Sequence, residues 1–227
     1  MLPLDNPIWT ALTTKQAQVA HSSALARRFP PEMTLLGALA ANTAMAFDSL
    51  AQLIQREAVT LYFASAPKLA AGWEVVRAVE LHQMVQEDGG VDHAAEQHEV
   101  IELTPADVPE MSVVYAATRP GRTLCQKIQK LGTFVGIREG DRLVAMGGVR
   151  LHLAGYREIT TVATLPDHEG RGYGTAVMRA LMARIRGKGE RPFLTVRTDN
   201  TRAIEIYRRL GFKERALFYS QTIRRAG

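Results

Sequence analysis

Apolar positions recur along this chain with two different periods, and together they outline its elements. Leu50, Leu53 and Ile54 fall at helical spacing and predict a helix from about Thr43 to Arg56. Val59-Thr-Leu-Tyr-Phe63 is a short β-branched and aromatic run, which predicts a strand. Trp73 to Val85 is rich in valine, with Leu81 and Met84, and predicts one long strand or two short ones. Nearer the N-terminus, prolines at 3, 7, 30 and 31 bracket a polar stretch in which Thr13 or Thr14 would cap a helix running to about Arg28. Glu87 to Gln97 has no period and contains Gly89-Gly90, so it is the best linker candidate.

After that linker the pattern changes to short, regularly spaced units. Val100 to Leu103 predicts a strand, and Val108 to Ala117 a helix with proline near its start. Arg119-Pro-Gly121 breaks it, and residues 123–130 predict a second short helix. Thr133 to Ile137 and Arg142 to Leu151 predict a hairpin around Glu139-Gly-Asp141, with Gly147-Gly148 marking a bulge. Glu158 to Thr164 predicts a further strand. Val177, Met178, Leu181, Met182 and Ile185 lie on one face of a helix reaching Arg186, which Gly187-Lys-Gly189 ends. Phe193 to Val196 predicts a strand, Arg202 to Leu210 a helix stopped by Gly211, and Phe212 to Arg224 one or two closing strands. The expected organisation is an α/β (α+β) protein of two parts: an N-terminal α/β region, residues 1–98, and a second unit, residues 99–227.

Composition narrows the classes without naming a function. With 227 residues, 46% hydrophobic and 22% charged, the chain is long enough to bury a core without disulfides. Its one cysteine, Cys125, forms no internal disulfide or cysteine-based zinc cluster and suits a reducing, cytoplasmic setting. Cys125 has no histidine near it in sequence, so a structural thiol is expected rather than a nucleophile. No signal-peptide pattern stands at the N-terminus and no apolar run reaches membrane-spanning length, so no membrane partner is expected. Net charge is +5 and the pI about 9.6, with arginines concentrated towards the C-terminus. A solvated basic surface is the plain reading of that balance and a polyanionic cofactor a sufficient one; nucleic acid is the weaker reading, because no aromatic and basic interleaving is present. His93 and His98 with Asp92, Glu96 and Glu99 raise a metal-site reading, against which a solvated linker is favoured; no metal is expected.

The stretch with the strongest chemical character is Glu158 to Gly174. A strand meets Pro166, then a loop with glycines at 170, 172 and 174, and a helix begins at once. Such a turn leaves N–H groups without partners at the positive end of a helix, which suits a phosphate or pyrophosphate. Arg171 adds a forked cation. A Rossmann fingerprint would need glycine where Val177 stands, and no Gly-Lys-Ser/Thr of a P-loop is present.

Arg171-Gly-Tyr-Gly174, followed downstream by Asn200-x-x-Ala203-x-x-x-Tyr207-x-x-Leu210-Gly-Phe212, resembles the GNAT superfamily of N-acetyltransferases. The resemblance covers residues 100–227 in element order, and residues 133–212 look closest to the glycine N-acyltransferase-like branch. It implies the GNAT acyl-CoA N-acyltransferase fold, a mostly antiparallel mixed sheet flanked by helices, with acetyl-CoA (coenzyme A) as co-substrate and a small-molecule or peptide amine as acceptor. A homodimer is compatible with it. By the same resemblance, Val162, Ala163 and Thr164 offer backbone groups to the pantetheine arm. Glu169, Gly170, Arg171, Gly172, Tyr173, Gly174 and Thr175 wrap the pyrophosphate. Asn200, Ala203 and Tyr207 border the thioester. Glu169 departs from the family pattern, which has glutamine or arginine there, and is expected to point to solvent. Tyr207 occupies the general-acid position, the Ala163 N–H that of an oxyanion donor, and Glu158 that of a general base; His152 and His168 are lesser base candidates. The rival readings are a GNAT-like CoA-binding sensor without catalysis and, behind it, a basic nucleic-acid-binding protein.

Overall fold

The computed structural model describes residues 2–87 and 98–226. The first helix is α1, Pro7–Thr13, and not the one expected from Thr13 or Thr14 to Arg28. Asn6 caps it by accepting from the Trp9 N–H, and Pro7 occupies its first turn, where no donor is missed. The hydroxyls of Thr13 and Thr14 donate back to Trp9 and Thr10 carbonyls, and the helix stops there. The chain then forms β1 (His21–Ser22), β2 (Ala26–Arg28) and β3 (Gly37–Leu39), a small antiparallel sheet. Helix α2, Ala44–Ala51, starts at Thr43 as expected but ends five residues before Arg56.

The remaining strands make one eight-stranded sheet. They are β4 (Val59–Phe63), β5 (Trp73–Gln86), β6 (Ile101–Leu103), β7 (Phe134–Glu139), β8 (Arg142–Leu153), β9 (Tyr156–Thr164), β10 (Arg191–Arg197) and β11 (Phe212–Arg225). Their order is β4-β11-β5-β10-β9-β8-β7-β6, antiparallel except between β9 and β10. Helices α3 (Val108–Thr118), α4 (Tyr173–Arg186) and α5 (Thr201–Arg209) connect them. The second short helix expected at residues 123–130 is only a 3-10 turn at Ile128–Leu131. Leu124, Ile128 and Leu131 are buried at helical spacing, but the Lys127 N–H is taken by the Glu32 carbonyl, so the ladder does not form there.

The division at 98/99 runs through this sheet and not between two bodies. Strand β5 lies between β10 and β11, and β4 covers the far edge of β11. The main core likewise joins Leu4, Ile8 and Phe29 to residues of β7–β10 and α4, while a second core gathers Phe47, Leu50, Val59, Leu61 and Trp73 with Ile223 of β11. Most of the expected linker lies outside the described residues. Among the described residues no helix is long and apolar enough to cross a membrane.

Strand β8 carries Gly147 and Gly148 where space is shortest. A Cβ at Gly148 would stand 2.5 Å from two ring carbons of Phe134, and one at Gly147 2.7 Å from Val177 Cγ1. Phe134 is fully buried and cannot swing away. Gly148→Ala is therefore expected to cost about 1–3 kcal/mol through overpacking, measured as a lower urea midpoint with unchanged slope.

Candidate active site

The site begins where two parallel neighbours part. Strand β10 pairs with β9 only from Arg191↔Tyr156 to Leu194↔Ile159. Beyond that, β10 stays with β5 as far as Arg197↔Leu81, while β9 stays with β8 as far as Thr164↔Ala145. Residues 160–164 of β9 thus have a partner strand on one side and an open edge on the other. Within this open segment β9 carries an extra residue: between Thr160 and Ala163 two residues oppose the single Gly147 of β8. Thr161 sits there with φ of 58°, a left-handed conformation that a β-branched residue adopts only under constraint. Arg119, the C-cap of α3, donates to the Val162 carbonyl at 3.1 Å.

At the end of β9 the glycine loop turns into α4. Gly172 is the N-cap, with φ of 84° and no side chain to cap the helix. The N–H groups from Gly170 to Thr175 find no acceptor among the described residues; the first bond of the turn is Ala176 N–H to the Gly172 carbonyl. That leaves a row of donors at the positive end of a 14-residue helix. Helix α4 is anchored by the face foreseen in the sequence, Val177, Met178, Leu181, Met182 and Ile185, all buried.

The side chains of the loop are disposed differently from the expectation. Arg171 is engaged by Glu139 of β7 at 2.9 Å, and the Tyr173 hydroxyl donates to the same carboxylate. Those two partners hold the Glu139 carboxyl below its usual range, Tyr173 first. The unpaired donors of this loop are therefore backbone amides, with the guanidinium already committed. His98 closes the loop from outside, with Nε2 2.9 Å from the Arg171 carbonyl and its ring edge-on to Tyr173 at 4.5 Å. Glu169 is exposed, as expected, and pairs with Arg202 in the first turn of α5. Thr164 Oγ1 lies 3.5 Å from where a Gly174 side chain would begin.

Helix α5 supplies the other wall. Asn200 caps it by accepting from the Ala203 N–H at 3.2 Å, so that amide is used within the helix start. Tyr207 packs against the core beside Phe212, 6.1 Å between ring centres. Its hydroxyl has no hydrogen-bond partner among the described residues. Burial pushes its pKa up, opposed by the Arg119 charge.

Glu158, which the resemblance puts in the general-base position, is enclosed on all sides. It is 1% exposed. Arg150 grips it with both arms, Nε to Oε2 and Nη2 to Oε1, each at 2.8 Å, and Thr195 of β10 donates to Oε1 at 3.2 Å. Burial opposes the Arg150 charge, but Glu158 and Tyr62 override it and the Arg150 pKa rises. A second irregularity makes this pair: Arg150 and Leu151 together oppose Glu158, between Val149↔Ile159 and His152↔Arg157. The N-terminal segment covers the pair, since Gln16 donates to the Arg150 carbonyl and Tyr62 Oη stands 3.3 Å from Arg150 Nη2.

The lesser candidates are also held by partners. His152 Nε2 lies 2.7 Å from Glu190, which also pairs with Arg157. His168 is buried between Asp167 at 2.7 Å and Glu139 at 3.2 Å. Cys125 is half-buried, and burial pushes its thiol pKa up. Of the proposed metal cluster, Asp92, His93 and Glu96 lie outside the described residues. The sequence reading missed Arg119, Arg150 and Glu139. None stands in a motif: the register of β8 against β9 brings in Arg150, the end of β7 brings in Glu139, and the C-terminal end of α3 brings in Arg119.

Residues 134–222 match the family model of FR47-like proteins. Curated relatives include the uncharacterized N-acetyltransferase YobR of Bacillus subtilis, 33% identical over 35% of this chain and 32% of its own length. Another is the N-alpha-acetyltransferase RimI of Mycobacterium tuberculosis, 37% identical over 35% of this chain and 51% of its own. The matched stretch thus spans about half or less of the length of these relatives. Over the whole of both chains, the fold matches a crystal structure from Novosphingobium aromaticivorans assigned to the GNAT acetyltransferases, with 28% identity and a TM-score of 0.90.

Proposed function

We propose that this chain, whose fold is the GNAT acetyltransferase fold and whose residues 134–222 match the FR47-like family, is an acetyl-CoA-dependent N-acyltransferase. The observation that carries the reading is the row of unpartnered amides from Gly170 to Thr175, set directly beyond the open edge of β9. An anion on those amides and an extended chain along that edge together suit a ligand with a pyrophosphate at one end and a linear arm behind it. Acetyl-CoA has that form and supplies the acyl thioester.

The chain's residues then divide the work. Gly170 to Thr175 bind the pyrophosphate through backbone N–H groups, and Glu169 with Arg202 ties the loop to α5. Val162 and Thr164 present backbone groups to the arm, whereas Ala163 pairs with Met146 and, two residues before the Leu165 N–H that bonds the Val144 carbonyl, turns its own N–H to β8, which removes it as the oxyanion donor. Asn200 and Ala203 fix the start of α5 so that Tyr207 faces the same cleft. As the acceptor nitrogen bonds to the carbonyl carbon and the carbon–sulfur bond breaks, the Tyr207 hydroxyl gives its proton to the departing sulfur. Its raised pKa keeps that proton in place at neutral pH. The ammonium proton leaves towards Glu158 through water, because the buried carboxylate has no exposed face to offer the amine. Within the family, we place residues 133–212 nearest the glycine N-acyltransferase-like branch on its motif, and the single cysteine fits a cytoplasmic enzyme.

Calorimetric titration should give one CoA site per chain. Acetyl-CoA with a panel of amines should release thiol. CoA binding without thiol release from any amine would favour the sensor reading. No CoA binding would remove both.

A further inference from the structure

The hairpin between β7 and β8 reaches the glycine loop with two side chains. Glu139 ends β7 and Arg142 begins β8, and the two are register partners across a tight turn in which Gly140 has φ of 56°. Glu139 Oε1 stands 2.9 Å from Arg171 Nη1 and also accepts from the Tyr173 hydroxyl, while its Oε2 stands 3.2 Å from His168 Nε2. His168 Nδ1 lies 2.7 Å from Asp167, and Arg142 reaches the other oxygen of that carboxylate at 2.9 Å. Glu139, His168, Asp167 and Arg142 therefore form a ring, closed by the Glu139↔Arg142 pairing, from which Arg171 and Tyr173 branch. The hairpin is in turn tied to the start of α3: Arg138 joins Asp107 at 2.6 Å and Glu110 at 2.9 Å, and donates to the Asp141 carbonyl.

An isolated exposed ion pair contributes little. This group differs in two respects. His168 and Tyr173, two of the three loop side chains on Glu139, are buried, so the carboxylate meets fixed partners. All three also stand in one loop, at positions 168, 171 and 173, on both sides of Gly170 and Gly172, whose φ values of 80° and 84° shape the turn. One carboxylate thus fastens the entry and the exit of the turn whose amides have no acceptor among the described residues. It also occupies the guanidinium, so that the amides meet the anion without it. Resting on the acyltransfer reading above, we propose that Glu139 is a positioning residue for the acyl donor, setting the pyrophosphate loop through His168, Arg171 and Tyr173 before CoA arrives. A loop ordered in advance loses less freedom on binding. The other role open to a carboxylate in this place is to compete with the phosphates for Arg171, and it predicts the opposite change in affinity.

In Glu139→Ala the KM for acetyl-CoA should rise about tenfold, the scale of ordering two side chains at the moment of binding, with kcat unchanged. S-acetylpantetheine carries the same thioester and arm without the pyrophosphate, and its kcat/KM should be the same in variant and wild type. Glu139→Gln keeps an acceptor for the Tyr173 hydroxyl, and its KM for acetyl-CoA should fall between the two. An unchanged or lower KM for acetyl-CoA in Glu139→Ala would overturn the inference, the lower value in favour of competition. An equal loss with S-acetylpantetheine would overturn it in favour of general damage to the fold. A second readout needs no turnover. 3′-Phospho-ADP, the pyrophosphate-bearing half of CoA, should raise the melting temperature of the wild type clearly and that of Glu139→Ala much less. If no amine releases thiol yet this difference is present, the transferase reading fails and the role of Glu139 stands. If thiol is released and both proteins shift alike, or neither shifts, the role of Glu139 fails and the transferase reading stands.

Discussion

Tyr207→Phe is expected to lower kcat by about 10²–10⁴, the usual span of a positioned general acid, while leaving the fold and the Kd for CoA in place. The substitution removes one hydroxyl that has no hydrogen-bond partner among the described residues, so it leaves no buried donor or acceptor stranded. The ring itself keeps its contacts with Phe212 and the core. Loss of activity without loss of stability is then the signature of chemistry at that oxygen. A pH profile sharpens the point. A tyrosine acts as an acid only while protonated, and burial holds this pKa above the ordinary phenol value. The wild type should keep its rate up to the region of that raised pKa and fall beyond it, and the phenylalanine variant should lack that alkaline limb. Stopped-flow thiol release with saturating acetyl-CoA would read both. A variant with wild-type kcat would remove Tyr207 from the mechanism.

The elements around Tyr207 were legible because each is governed by local rules. Helix α4 shows its buried face in the sequence, α5 shows its Asn200 cap and Gly211 stop, and β4 shows its alternation. Gly147-Gly148 marked the irregularity opposite Thr161 and Val162, since only residues without side chains fit between Phe134, Val177 and the neighbouring strand. What stayed hidden depends on pairing over long sequence separations. Nothing local says that β5 inserts between β10 and β11, and so nothing local argued against a boundary at residue 98. Residues 123–130 have a helical apolar period, yet the Glu32 carbonyl, distant in sequence, takes the Lys127 N–H and the turn opens. Arg171 reads as a free cation until the turn after β7 delivers Glu139 to it.

Arg150→Met should be the most destabilising single change near the cleft, costing about 3–5 kcal/mol, because it strands a buried carboxylate. Glu158 would keep only the Thr195 hydroxyl. Its register partner on β10, Phe193, is apolar and fully buried. Arg150→Met/Glu158→Leu should recover most of the loss, since the pair is repaid mainly by its own attraction, and a double-mutant cycle in urea would measure the coupling. The same variants decide what Glu158 does. If it relays a proton through water, the carboxylate is the essential part. Arg150→Met should then retain much of kcat at a temperature where it is folded, and Glu158→Gln should lose it. If the pair only fixes the point where β9 and β10 separate, the two variants should lose activity together, because either one breaks the Arg150–Glu158 pairing at that point. The second outcome would leave water as the acceptor of the ammonium proton and make Arg150 and Glu158 the frame that holds the cleft open.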